Sequence, residues 1–202
     1  MAQAVEAEGR KKETFNIYKK KEVIVFMKLT KRMPLFIITG ASGVGKSTVA
    51  EMLFANETKY IVLESDILWN DIYNKPEEDY KEYREIWLNL CSHVSQIGLP
   101  VVLCGCATPE QFENCINRKW VSSIHYLAVV SEDSVLEARM RYGRKITDEN
   151  WVQGSKQFNQ WLKGNAKKTT PPITLYDYST SSASDAAKDI HEWICGILNA
   201  QK

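Results

Sequence analysis

Nine consecutive residues, Gly40-Ala41-Ser42-Gly43-Val44-Gly45-Lys46-Ser47-Thr48, most constrain what this chain can fold into. They match the pattern G-x-x-x-x-G-K-[ST] at every specified position. The apolar run Leu35-Phe36-Ile37-Ile38-Thr39 precedes them and reads as a buried strand. Thr48 to Ala55 follows as a helix with Val49, Met52 and Leu53 as its apolar residues. A glycine-rich turn between a strand and a helix is the context in which this pattern cradles phosphate. Glycines let the backbone wrap the phosphates with successive N–H groups pointing inward, and the helix adds the positive end of its dipole. On this reading Lys46 reaches the β- and γ-phosphates and the Ser47 hydroxyl holds Mg²⁺. Thr48 belongs to the helix, with its hydroxyl within reach of an α-phosphate.

The remaining chain alternates short apolar runs with helical patterns. Strands are expected at Tyr60–Leu63, Val101–Cys104, Ser123–Val130 and Ile173–Tyr176. Helices are expected over about 66–74, 78–97 (ended by Gly98), 109–117, from Ser131 to a basic end past Met140, up to Lys163, and over 185–198. The pattern predicts an α/β fold with a parallel sheet covered by helices on both faces. In such sheets ligands bind beyond the carboxyl ends of the strands, so the glycine loop, Glu64, Asp66, Gly105 and Asp177 should share one rim.

Charge divides the chain. Residues 1–32 carry nine Lys/Arg against four Glu, while the remaining 170 residues carry 17 basic and 21 acidic groups. The first 32 residues read as a flexible basic leader or extension and 33–202 as the folded domain, with Val23–Met27 a short strand or a sticky segment. The slightly acidic body argues against a nucleic-acid partner. Without an 18-residue apolar run or signal-peptide pattern, no membrane partner is expected and the compartment reads as cytoplasmic. Five cysteines without a C-x-x-C pair read as reduced, mostly buried thiols. Three separated histidines suggest no metal site.

Two further groups of residues carry chemistry. Glu64 and Asp66 close the second strand, and alternate strand residues face the same way. Phosphoryl transfer to a hydroxyl needs a carboxylate to orient the hydroxyl and take its proton, and Mg²⁺ takes carboxylates, often through water. Asp66 is assigned as base or substrate-orienting group and Glu64 as Mg²⁺-water ligand; the alternative for Asp66 is a helix cap. Arg139, Arg141 and Arg144 follow a helix end, where a lid over about 139–150 would bring them onto a transferred phosphoryl group. Trp69 and Tyr73 are pocket candidates for the acceptor, while Tyr80, Tyr83 and Trp87 have core spacing. Arg84 is the only arginine between the glycine loop and Cys104. An acceptor already carrying phosphate usually needs more positive charge there, so a neutral hydroxyl acceptor is favoured.

With these residues in view, Pro34 to Leu198 resembles the small P-loop kinases of the nucleoside/nucleotide-kinase-like group, which includes shikimate, gluconate and adenylate kinases and chloramphenicol phosphotransferase. The resemblance implies a three-layer fold with a five-stranded sheet of order 2-3-1-4-5 and a small lid, ATP as donor and Mg²⁺ as cofactor. It implies that Asp66 handles the acceptor and that Gly105, in Leu103-Cys104-Gly105-Cys106-Ala107, contacts it. It places Arg139, Arg141 and Arg144 in the lid, and Asp177 and Ser179, in Asp177-Tyr178-Ser179, near adenine. Glu64 departs from the group's usual first Asp, and the acceptor segment lacks the arginines of nucleoside monophosphate kinases. The expectation is a monomeric or homodimeric enzyme transferring the γ-phosphate of Mg·ATP to a small-molecule hydroxyl. The alternatives are a nucleotide kinase and a non-catalytic or switch-like nucleotide-binding protein. No D-x-x-G accompanies the loop, and Asn74-Lys75-Pro76-Glu77 is a near miss to N-K-x-D in a helical region, which argues against a GTPase switch.

Overall fold

The apolar runs form five strands: β1 (Leu35–Thr39), β2 (Ile61–Glu64), β3 (Val101–Cys104), β4 (Ile124–Val130) and β5 (Ile173–Asp177). The computed structural model describes residues 32–56, 58–69 and 75–201. The leader before Arg32, including Val23–Met27, and the pocket candidate Tyr73 lie outside the described residues. All paired strands are parallel, in the order β2-β3-β1-β4-β5. β1 is central, with Leu35 opposite Val101 on one side and Ile124 on the other.

Parallel neighbours need crossover connections, which place helices on both faces. These are α1 (Lys46–Asn56), α2 (Lys81–Val94), α3 (Pro109–Glu113), α4 (Asp133–Ala138), α5 (Glu149–Asn165) and α6 (Ala183–Ala200). Side chains of a strand alternate between faces, and the core divides accordingly. Phe36, Ile38, Val102, Leu127 and Val129 pack against Val49 and Leu53 of α1 and Ile190 and Ile194 of α6. Leu35, Ile37, Val101, Leu103 and Tyr126 pack against Trp87 and Leu88 of α2, Phe112 of α3 and Leu162 of α5. Trp87 is wholly buried, so Trp87→Ala should cost about 3–5 kcal/mol. Among the described residues, no helix is long and apolar enough to cross a membrane.

Several helices differ from the sequence pattern. Of the segment expected to be helical over 66–74, the described residues form a 3-10 turn, Ser65–Leu68, with Trp69 extended after it, and 70–74 lie outside the described residues. The helix expected from 78 begins at Lys81, because Asp79 (φ 48°) and Tyr80 (φ 54°) turn the chain through the left-handed region after the 3-10 turn Pro76–Glu78. α3 stops at Glu113 and a separate 3-10 segment covers Ile116–Trp120. α4 passes into a π-helical turn, Arg139–Gly143, closed by the Arg144 N–H donating to the Arg139 carbonyl at 3.1 Å. Asp148 then caps α5 by accepting from the N–H groups of Asn150 and Trp151. These departures cluster at the carboxyl rim of the sheet and the α2 entrance.

Candidate active site

The glycine loop leaves β1 at Thr39, which is fully buried. The Thr39 hydroxyl donates to the Ala107 carbonyl (2.7 Å) and accepts from the Ala107 N–H (2.9 Å), tying the loop after β3 to the end of β1. Gly43 (φ 81°) and Gly45 (φ 111°) hold left-handed conformations. Packing beneath the loop also demands glycine there. A Cβ at Gly45 would stand 2.5 Å from a Tyr178 ring carbon, and one at Gly43 would stand 2.4 Å from the Met140 side chain. Ala41 and Val44 are wholly buried and pin the loop to the core. α1 starts at Lys46, so its first N–H groups have no acceptor within the helix. The Lys46 ammonium donates to the carbonyls of Gly40 (2.7 Å) and Ala41 (2.9 Å) and lies 3.6 Å from Cys106 Sγ.

These residues floor a cavity of about 500 Å³. Its wall gathers Ser42, Gly43, Gly45, Lys46, Ser47 and Thr48 from the loop, Glu64 and Asp66 from the end of β2, and Cys104, Gly105 and Cys106 from the end of β3. Arg139, Arg144 and Tyr178 complete it. Glu64 is the last residue of β2 and Asp66 lies in the turn after it, so both carboxylates reach the cavity although the strand has ended between them. Asp66 is not a helix cap: the turn begins at Ser65 with Glu64 in the cap position and no side-chain cap bond. Gly105 sits where a Cβ would meet Ser65 Oγ at 2.0 Å, so the close approach of the β2 and β3 ends requires its missing side chain.

The three arginines at 139, 141 and 144 separate into different roles. Arg139 donates to the Val44 carbonyl (2.8 Å) and the Tyr178 carbonyl (3.0 Å), with its guanidinium 4.4 Å from the Tyr178 ring centroid. It thereby ties the π-helical turn to the glycine loop and to the residue that follows β5. Arg144 donates to the Ser42 hydroxyl (3.0 Å) and lies over the Trp151 ring. Arg141, expected to face the cavity, is instead engaged by Glu137 (2.8 Å) and Glu149 (2.5 Å). Hydrogen bonds to Glu149 and then Glu137 hold its guanidinium pKa above the ordinary value.

Other expected site residues stand outside the lining of this cavity. Asp177 and Ser179 do not line the cavity. The Ser179 N–H and hydroxyl both donate to the Asp177 carboxylate (2.9 and 2.5 Å), and the same hydroxyl accepts from the Glu132 N–H (2.9 Å). Tyr178 between them is the residue that reaches the cavity wall. Trp69 is exposed and packs on Tyr80 and Tyr83. Arg84 is buried behind the β3 loop rather than in the main cavity wall.

Cys106 corrects the expectation of mostly buried thiols at one position. It is exposed at the cavity, and its thiol donates to the Gly40 carbonyl at 3.1 Å. The end of the apolar run carried a signal for it: β3 ends at the buried Cys104, and Cys106 lies two residues beyond, at the carboxyl rim. Thr39 and Tyr178 carried weaker signals: a polar residue closing an apolar strand, and an aromatic between two polar residues opposite a glycine loop.

A family model described as an AAA domain matches residues 35–110, from β1 into α3. No significant match is found among curated protein sequences. Solved structures are similar over most of the chain. The tunicamycin resistance protein of Deinococcus radiodurans is 17% identical, with a TM-score of 0.60 over 81% of this chain and 96% of its own. A gluconokinase from Sinorhizobium meliloti 1021 is 19% identical, with a TM-score of 0.55 over 85% and 99%. Shikimate kinase from Acinetobacter baumannii, solved with shikimate, is 16% identical, with a TM-score of 0.55 over 83% and 95%. The strand order and the glycine loop agree with these neighbours: the chain has a P-loop fold, shared with the gluconokinase and the shikimate kinase.

Proposed function

We propose that this chain is a phosphotransferase that moves the γ-phosphoryl group of Mg·ATP to a hydroxyl of a small molecule. One observation carries the reading: Asp66 and Glu64 share a cavity wall with the phosphate loop, Lys46 and the arginine-bearing lid. Glu64 suits Mg²⁺, which a protein that only held nucleotide would also need; Asp66 is the further carboxylate that transfer to a hydroxyl calls for.

The residues present suit the groups that the fold implies. The start of α1, the backbone of the loop and Lys46 form a donor set for phosphate oxygens. Ser47 and Glu64 supply the hydroxyl and carboxylate oxygens that Mg²⁺ takes, and the ion when bound neutralises charge on the phosphate oxygens. Asp66 accepts the proton of the acceptor hydroxyl as its oxygen bonds to phosphorus, while the bond to the ADP oxygen breaks. The products are the phosphorylated acceptor, ADP and a proton. Arg144, beside Ser42 of the loop, offsets charge that develops on the phosphoryl oxygens. Arg139 keeps the lid seated on the loop through backbone carbonyls and thereby helps exclude competing water.

Asp66→Asn tests this assignment. ATP affinity should stay within about two-fold, while acceptor phosphorylation falls by about 100-fold or more. Full transfer by that variant would remove Asp66 from the chemistry. A nucleoside monophosphate as the favoured acceptor would move the chain to the nucleotide-kinase reading.

A further inference from the structure

Cys106 stands in the cavity wall without a part in phosphoryl transfer. Its thiol donates to the Gly40 carbonyl at 3.1 Å. The same carbonyl accepts from the Lys46 ammonium at 2.7 Å, and Lys46 Nζ lies 3.6 Å from Cys106 Sγ. One backbone oxygen therefore holds a thiol and an amine against each other. The frame behind them is tight. A Cβ at Gly40 would stand 2.5 Å from the Val129 carbonyl oxygen, and the paired bonds of Thr39 to Ala107 fasten the loop after β3 to the end of β1. Cys91, Cys104 and Cys115 are buried, and Cys195 is half-buried on α6 beside His191. Cys106 is exposed to whatever enters the cavity.

We infer that Cys106 and Lys46 form a reversible redox cross-link that closes the phosphate loop to nucleotide. The oxidant is hydrogen peroxide. The Cys106 sulfur attacks one peroxide oxygen and the O–O bond breaks, leaving a sulfenic acid and water. Sulfur loses two electrons and peroxide gains them. The Lys46 ammonium then gives a proton to solvent, and its nitrogen lone pair attacks the sulfur. The S–O bond breaks, water leaves, and an S–N bond, a sulfenamide, remains. This second step is redox-neutral. The flexible lysine stem closes the gap between the two atoms. Two equivalents of an added thiol restore Cys106 and Lys46 and leave the disulfide of that thiol.

The cross-link removes the Lys46 charge and ties its nitrogen to the β3 side of the loop. Phosphates then lose the cation that the loop otherwise presents. Bound Mg·ATP draws Lys46 to its phosphates and away from the sulfur, so nucleotide protects the thiol. The inference rests on the nucleotide-holding part of the phosphotransferase reading and on no step of the transfer.

The test treats the whole chain, without nucleotide, with hydrogen peroxide in slight molar excess, followed by tryptic peptide mass spectrometry without reductant. The Cys106 peptide should appear joined to the Lys46 peptide, at a combined mass lower by two hydrogens. Trypsin should no longer cut after Lys46. Dithiothreitol should reverse both changes, Mg·ATP should prevent them, and neither should occur in Cys106→Ser, Cys106→Ala or Lys46→Arg. Lys46 free beside a Cys106 sulfinic or sulfonic acid overturns the proposal. So does a loss of two hydrogens confined to the peptide of Cys104 and Cys106, which would be a disulfide. A joined pair heavier by one oxygen would be an N–O–S bridge and overturns the sulfenamide step.

ATP affinity, measured by calorimetry, is the second readout. Peroxide should weaken it about 10–100-fold in the parent, the range for losing a bond to a charged group, and dithiothreitol should restore it. Each cysteine variant should bind ATP as its own untreated sample does. Equal loss in parent and variants would place the damage elsewhere, and a cross-linked chain that still binds ATP at full affinity would leave no switch; either result overturns the inference. An untreated parent that does not bind ATP refutes the phosphotransferase reading itself, whereas the joined peptide is read without nucleotide.

Discussion

Replacing Gly105 by Ala should uncouple the two strand ends that form the acceptor wall. The added Cβ would stand 2.0 Å from Ser65 Oγ and 2.8 Å from Ser65 Cβ. Rotating the serine hydroxyl away relieves only the first contact, so the backbone of β2 or β3 must shift. Overpacking of this kind costs about 1–3 kcal/mol, and for a domain of this size each kcal/mol moves Tm by about 2–4 °C. The variant should therefore melt about 2–12 °C below the parent. Ser65→Gly removes both offending atoms and leaves Ser65 Cα at 4.0 Å, an ordinary contact. Alone, that change costs about 0.5–1 kcal/mol through backbone entropy. The double variant Ser65→Gly/Gly105→Ala should be more stable than Gly105→Ala alone, giving a favourable coupling of about 1–2 kcal/mol in a double-mutant cycle. Urea unfolding of the four proteins measures it. Additive losses, or a Gly105→Ala variant as stable as the parent, would refute the packing argument. Because Ser65 lies between Glu64 and Asp66, the single variant should also lose transfer while keeping ATP affinity.

Three further outcomes follow from particular residues. Lys46→Ala should abolish ATP binding by calorimetry; an unchanged affinity would remove the phosphate-loop assignment. Burial lowers the His125 pKa, where the ring stacks on Phe36. The unfolded chain therefore takes up this proton more readily, and the contribution is fully present above about pH 6.5 and lost as pH falls toward the lower folded value. His125→Gln should flatten the stability curve between about pH 7 and 5; an unaltered slope contradicts the linkage. Burial pushes the thiols of Cys91 and Cys104 up to about 12 and that of Cys115 to about 11, whereas Cys106 is exposed at the cavity. N-ethylmaleimide should thus modify Cys106 first by peptide mass spectrometry, more slowly with ATP present, and prior labelling of Cys91 would show the burial pattern to be wrong.

Much of the fold was legible because the core obeys local rules. Continuous apolar runs such as Leu35–Thr39, buried on both faces, and a motif with fixed flanks specify the elements. Glu64 and Asp66 reached the cavity as the strand pattern implied, although a 3-10 turn rather than simple alternation brings Asp66 there. What stayed hidden depends on partners distant in sequence. Arg141 and Arg144 look alike in a basic helix end, and only Glu137 and Glu149 on one side and Ser42 on the other divide them. Asp177 and Ser179 are both polar, but their bonds to each other and to Glu132 leave Tyr178 to face the loop. The left-handed pair Asp79–Tyr80 gives no propensity signal, since neither residue is glycine. It moves the start of α2 and sets Arg84 behind the β3 loop.

The central claim is acceptor-dependent phosphoryl transfer. Consumption of Mg·ATP by the purified chain should be measured against pools of sugars, sugar acids, nucleosides, nucleoside monophosphates and aminoglycoside or phenicol antibiotics, with Asp66→Asn as control. The account predicts stimulation by one pool, with a phosphorylated product, lost in the variant. ATP binding with no stimulation by any pool, or stimulation that survives in Asp66→Asn, would contradict it.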